Sequence, residues 1–194
     1  GIGVDDKKPE AYAVFISQSG LGLPDRDYYL LDEKSIVAAR TAYRAYVAEI
    51  LSLGQIPDAG KKAAAIFNLE SEIAKIHWPR ADRRNADKMY NPMSVAELEK
   101  FAPQFPWGLY LKEMKISNAE QGTRRVVIGE KTAFPQLAVL FAKTPVDVWR
   151  DYLTFHYLSS HASYLPKRFD DARFNFYGKM LGCLGPTCPR DERG

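Results

Sequence analysis

The chain has 194 residues, 46% hydrophobic and 26% charged, which allows one domain, or two small ones, with a real core of ordinary globular type. Its formal charge is 27 − 24 = +3, too small to imply a nucleic-acid or membrane partner. No apolar run approaches the roughly 20 residues needed to span a bilayer.

The opening Gly1-Ile-Gly-Val-Asp-Asp-Lys-Lys has no signal-peptide core and no initiator Met, so a processed or trimmed piece is expected. Residues 5–10 are polar and read as a turn. Residues 11–17, rich in aromatic and β-branched side chains, predict a strand. The run Gln18-Ser-Gly-Leu-Gly-Leu-Pro-Asp-Arg-Asp-Tyr-Tyr-Leu30 follows. Gly20, Gly22 and Pro24 bar a regular element, and Arg26 between Asp25 and Asp27 suits an ordered, hydrogen-bonded turn.

Asp32 or Ser35 can cap a helix over 33–53 that stops at Gly54, with Ile36, Tyr43, Val47 and Ile50 on its buried face. Asp58 can cap a second over 59–77, with the stripe Ile66, Leu69, Ile73 and Ile76. The short link predicts an antiparallel pair. Ser94 and Glu97 form a capping box for a short helix stopped by Pro103. Phe105-Pro-Trp107 opens another. Residues 124–128 predict a second strand, and Thr132 can cap a helix to about Lys143. Thr144-Pro145 starts a helix over 145–165, and residues 167–181 form the last helical stretch. The expectation is a mainly α, multi-helix lobe over 1–181 with about six helices and one or two short strands, followed by an irregular tail over 182–194.

Signals for chemistry are sparse. None of His77, His156 and His161 is followed by Glu, so there is no His-Glu-x-x-His zinc helix, and His156 and His161 are poorly spaced as co-ligands. Cys183 and Cys188 have no second pair to complete a zinc site. Gly20 and Gly22 lack the third glycine of a dinucleotide fingerprint. Arg80, Arg83, Arg84 and Lys88 are interleaved with Asp82 and Asp87 and read as a solvated loop. No catalytic residue, metal ligand or cofactor is assigned, and neither nucleic acid nor membrane is expected as a partner.

Several segments, in order, are similar to neprilysin-like zinc metallopeptidases. They are Val4-Asp-Asp-Lys7, Gln18 to Leu30, Leu69-Glu70 with Ile73-Ala74, Arg84 with Tyr90-Asn91, Met93 and Glu97-Leu98, Phe105-Pro-Trp107, Trp149 to Leu153, Tyr164-Leu-Pro166 and Phe169 to Lys179. The resemblance covers residues 4–181 and suggests a bacterial member. It implies a helical, non-catalytic lobe covering the cleft of a larger zinc endopeptidase, whose ligands and general base lie in a catalytic lobe further along. It also implies zinc in the full-length family only, and a secreted or periplasmic setting. Gly20, Leu21, Gly22, Leu23, Pro24, Asp25, Arg26, Asp27, Tyr28 and Tyr29 are its signature loop, structural or interlobe. The expected partner is the missing catalytic lobe or a peptidase homologue; the alternative is an autonomous decoy or inhibitor module. Phe174, Phe176, Tyr177 and Met180 spread too widely round a helix for one core face, so they form a candidate exposed interface, with self-association as one outcome.

Overall fold

The computed structural model describes residues 1–5, 7–119 and 122–182. The mainly α class holds, with eight α-helices among the described residues, but four strands replace the one or two expected. The chain forms two compact units, residues 1–20 with 75–144, and residues 21–74 with 145–194. The cysteines, and the tail beyond Gly182, lie outside the described residues.

The first unit holds β1 (Ile2–Asp5), β2 (Lys8–Ile16), β3 (Asn91–Ser94), α4 (Val95–Phe101), α5 (Trp107–Glu113), β4 (Arg125–Ile128) and α6 (Ala133–Lys143). The sheet order is β1-β2-β4-β3; β2 and β4 run parallel and the outer pairs antiparallel. Val14, Val126 and Ile128 cover Leu98, Trp107, Leu111 and Phe134 in one apolar cluster. The two unforeseen strands are both edges. β1 pairs antiparallel with β2 and leaves Ile2 and Val4 exposed, while residues 8–10, expected in a turn, extend β2. β3 carries Pro92, which reads against a strand but is tolerated on an edge, where a missing N–H costs no ladder bond. The Ser94–Glu97 capping box forms as expected, and the Ser94 amide and hydroxyl donors hold the Glu97 carboxyl below its usual range. Asp5 is buried and accepts from Tyr90 Oη (2.7 Å), with Arg125 Nη1 at 3.1 Å. The Tyr90 hydrogen bond is the main reason its carboxyl also sits low.

The second unit holds α1 (Asp27–Leu30), α2 (Lys34–Leu53), α3 (Ala59–Ile76, counted here to Ala74), α7 (Val146–Ser160) and α8 (Lys167–Arg173), which runs on into a π-helical stretch over Phe174–Leu181. Tyr43, Val47 and Ile50 of α2, and Ile66, Leu69 and Ile73 of α3, are buried as their spacing predicts; Ile36 and Ile76 are only half-buried. Tyr43 meets Glu70 while Arg44 lies over Phe67, so residue numbers rise on α2 as they fall on α3 and the pair is antiparallel. Phe155 of α7 and Phe176 pack against Tyr43 and Tyr46, with Tyr46 and Phe176 stacked at 4.9 Å. Asp32 does not cap α2. Its carboxylate takes Arg40 Nη2 at 2.8 Å, and the same guanidinium reaches Tyr29 O, so α1 and α2 are tied instead. Thr132 likewise makes no cap; its hydroxyl accepts from Trp78 Nε1.

Candidate functional site

The signature loop begins in the first unit. There Gln18 donates its amide to Glu130 Oε2 (2.8 Å), and its side chain exchanges two hydrogen bonds with the Trp78 backbone. Glu130 is fully buried and also accepts from Arg83 Nε. Gly20 has φ +98°, a conformation that needs glycine.

From Leu21 onward the loop belongs to the second unit and is organised by Glu70 of α3. Glu70 has no solvent exposure. Its Oε2 accepts from Tyr29 Oη (2.5 Å), Tyr43 Oη (2.9 Å) and Gly22 N (3.2 Å), while Oε1 faces His156 Nε2 at 2.7 Å and is also 2.9 Å from Tyr43 Oη. The Tyr29 hydroxyl in turn accepts from the amides of Gly22 (3.2 Å) and Leu23 (3.0 Å). On the other side of the same peptide, Tyr177 Oη donates to Gly22 O at 2.9 Å. The loop is thus clamped through its own backbone, and a buried charge is met by several donors, the condition under which burial is tolerated.

Glycine at 22 follows from this packing. A Cβ there would lie 1.9 Å from Tyr43 Oη and 2.4 Å from its Cζ, and Tyr43 is itself fully buried. The clamp also fixes protonation. Burial, reinforced by the charge of Glu70, pushes Tyr29 and Tyr43 far above the ordinary phenol range, and burial foremost does the same for Tyr152 and Tyr177. All four stay neutral donors at physiological pH.

The remaining loop positions are more open. Leu23 is buried, Leu21 half-buried and Pro24 exposed. Asp27 N donates to Asp25 Oδ1 at 2.9 Å, which makes the expected ordered turn. The bond runs between the aspartates; half-buried Arg26 has a buried Nε with no hydrogen-bond partner among the described residues. Tyr28 is half-buried and Asp27 exposed. Of the candidate interface residues, Phe174 and Met180 are exposed, Tyr177 is half-buried, and Phe176 is 4% exposed. Phe176 therefore leaves the exposed set. Its helical spacing from Phe169 and Ala172, both buried as well, puts it on their face.

His156, poorly spaced as a co-ligand of His161, is a clamp member; His161 stacks on Tyr157 at 4.2 Å. Sequence reasoning quoted Glu70 in a motif without a role. The available signal was its place on α3's apolar face, four residues after Ile66 and three before Ile73. Among the described residues no group of three or more His, Cys, Asp or Glu is placed to hold a metal ion. Both oxygens of Glu70 are engaged and shielded, and the carboxylate ties Gly22 and Tyr29 of the loop to α2 and α7.

The comparisons give the family of this mainly α chain. The profile of peptidase family M13 matches residues 1–194, and the chain belongs to that family. It is 26% identical over 191 residues to endothelin-converting enzyme 1 of Rattus norvegicus, covering 97% of this chain and 25% of that protein. With endothelin-converting enzyme-like 1 of Homo sapiens it shares 27% over 187 residues, 95% of this chain and 24% of the relative. In structure it resembles the zinc metalloprotease Zmp1 of Mycobacterium tuberculosis in its open state, with a TM-score of 0.83 and 28% identity, over 98% of this chain and 29% of that one. The partial open state of the same protease gives 0.76 over the same shares. The chain thus spans about a quarter of the length of these curated relatives. Among the described residues no helix is long and apolar enough to cross a membrane.

Proposed function

We propose that this chain is the non-catalytic cover lobe of a zinc metalloendopeptidase: it closes over the substrate cleft, while metal and general base come from polypeptide beyond the matched region. The observation that carries this reading is the combination of a likeness over 98% of the chain to 29% of a zinc metalloprotease with a sequence that has no His-Glu-x-x-His. In the complete enzyme, zinc would activate the attacking water and a glutamate would take its proton. This chain's residues would contribute shape. The Glu70 clamp holds the loop from Gly22 to Tyr29 in place through its backbone. That Zmp1 is described in open and partial open states supports a moving part in that relative.

The test is a lobe exchange. The whole chain replaces the matching segment of the Mycobacterium tuberculosis protease, and hydrolysis of a fluorogenic peptide is measured. The reading expects chelator-sensitive cleavage by the exchanged enzyme. A folded, zinc-loaded exchange protein that cleaves nothing would count against it.

A further inference from the structure

The helix α7 is apolar on two opposite faces. At 3.6 residues per turn, Tyr152, Phe155 and Ser159 lie on one side and are buried, with Phe155 against Tyr43 and Tyr46. Val146, Leu153 and Tyr157 fall within about 40° of one another on the other side. That second face meets solvent: Val146 is 80% exposed, Leu153 60% and Tyr157 62%, and the row continues into the following turn with Tyr164 at 86%. His161, stacked on Tyr157, extends the same surface. Single exposed apolar residues are ordinary, but four large ones on one side of a helix and the turn that follows it are not. A helix apolar on both sides is built to have neighbours on both sides, and the described residues supply one.

We propose that the Val146–Leu153–Tyr157–Tyr164 face is the seat of the remaining polypeptide of the same M13 peptidase, which presents an apolar surface to it. The inference rests on the cover-lobe reading and deepens it. The occupant is argued from length: the matched region is 24–29% of the relatives, so about three quarters of such an enzyme stands outside this chain. Arg150 lies at one margin of the face, between Val146 and Leu153, and suits a polar rim round an apolar centre.

The lobe-exchanged enzyme and the isolated 194-residue chain are compared by hydroxyl-radical footprinting, read residue by residue. The proposal expects oxidation of Leu153, Tyr157 and Tyr164 to slow by about tenfold in the exchanged enzyme, as for side chains moving from solvent to a buried interface core. Oxidation of Tyr12, 72% exposed in the other unit, serves as the reference rate. If the exchanged enzyme cleaves peptide while the α7 residues oxidise at unchanged rates, the inference falls and the cover-lobe reading stands. If it folds, neither cleaves nor protects the face, both fall. If the isolated chain shows the same protection with rising concentration, and Leu153→Ser with Tyr157→Ser abolishes it, the occupant is a second copy of this chain and the proposal is overturned.

Discussion

Replacing Gly22 by alanine asks one methyl group to occupy space already held by Tyr43. The added Cβ would sit 1.9 Å from Tyr43 Oη, 2.4 Å from Cζ and 2.8 Å from Cε2. Ordinary contact requires roughly 3.5 Å, so the ring must retreat by on the order of 1.5 Å. Tyr43 is fully buried, wedged against Phe155 and Phe176, and cannot swing into solvent. Overpacking of this kind costs about 1–3 kcal/mol. Losing the Tyr43 hydrogen bond to a buried carboxylate adds about 1.5–3 kcal/mol. The two overlap, and a loss of about 3–5 kcal/mol is expected, a large fraction of a typical domain's stability. Urea unfolding followed by circular dichroism measures it. Leucine at position 43 stops short of the three atoms that clash, so Gly22→Ala in a Tyr43→Leu background should cost less than about 1 kcal/mol, and the cycle isolates the contact. A Gly22→Ala protein within about 0.5 kcal/mol of wild type, with tyrosine still at 43, would refute the reasoning.

Glu70→Gln keeps the shape but replaces an oxygen by a donor facing other donors, so unfolding should come earlier by about 2–3 kcal/mol in the same assay, and an unchanged midpoint would deny the clamp its role. For pH, the folded-state pKa values of Tyr29, Tyr43, Tyr152 and Tyr177 are raised, so their contribution is full below the ordinary phenol value of 10.0 and is lost as pH rises above it. One unit above that value, each costs about 1.4 kcal/mol through ionisation of the unfolded chain. Ultraviolet titration of the chain's 11 tyrosines should therefore show a late group that ionises only together with loss of helix signal. A single smooth tyrosine titration with the fold intact would contradict this.

Local signals carried much of the fold. The Ile66–Leu69–Ile73–Ile76 stripe and the Ser94–Glu97 box are decided within a few turns of chain; the box forms as read, and the stripe is buried except at Ile76, which is half-buried. What escaped depends on distant partners. Whether Asn91–Ser94 is a strand depends on β4, more than thirty residues later, offering an edge at which Pro92 costs nothing. Asp32 and Thr132 are good caps by composition, but Arg40 and Trp78 claim their oxygens. The clamp was half legible: Gly22 and Tyr29 stand out in the loop, but the acceptor that unites them is 48 residues from Gly22 and its imidazole neighbour a further 86 residues along. Nothing local distinguishes His156 from a surface histidine. Phe176 shares the helical spacing of buried Phe169 and Ala172, a local signal that outweighs its place among the outward-facing aromatics.

The central claim, a cover lobe that relies on zinc chemistry supplied by other polypeptide, is tested most directly on the purified chain alone. Zinc content is measured by mass spectrometry after dialysis against the metal, alongside hydrolysis of a fluorogenic peptide with and without chelator. The account predicts substoichiometric zinc and no cleavage above buffer. One zinc per chain, with peptide hydrolysis abolished by chelation and restored by added zinc, would contradict it.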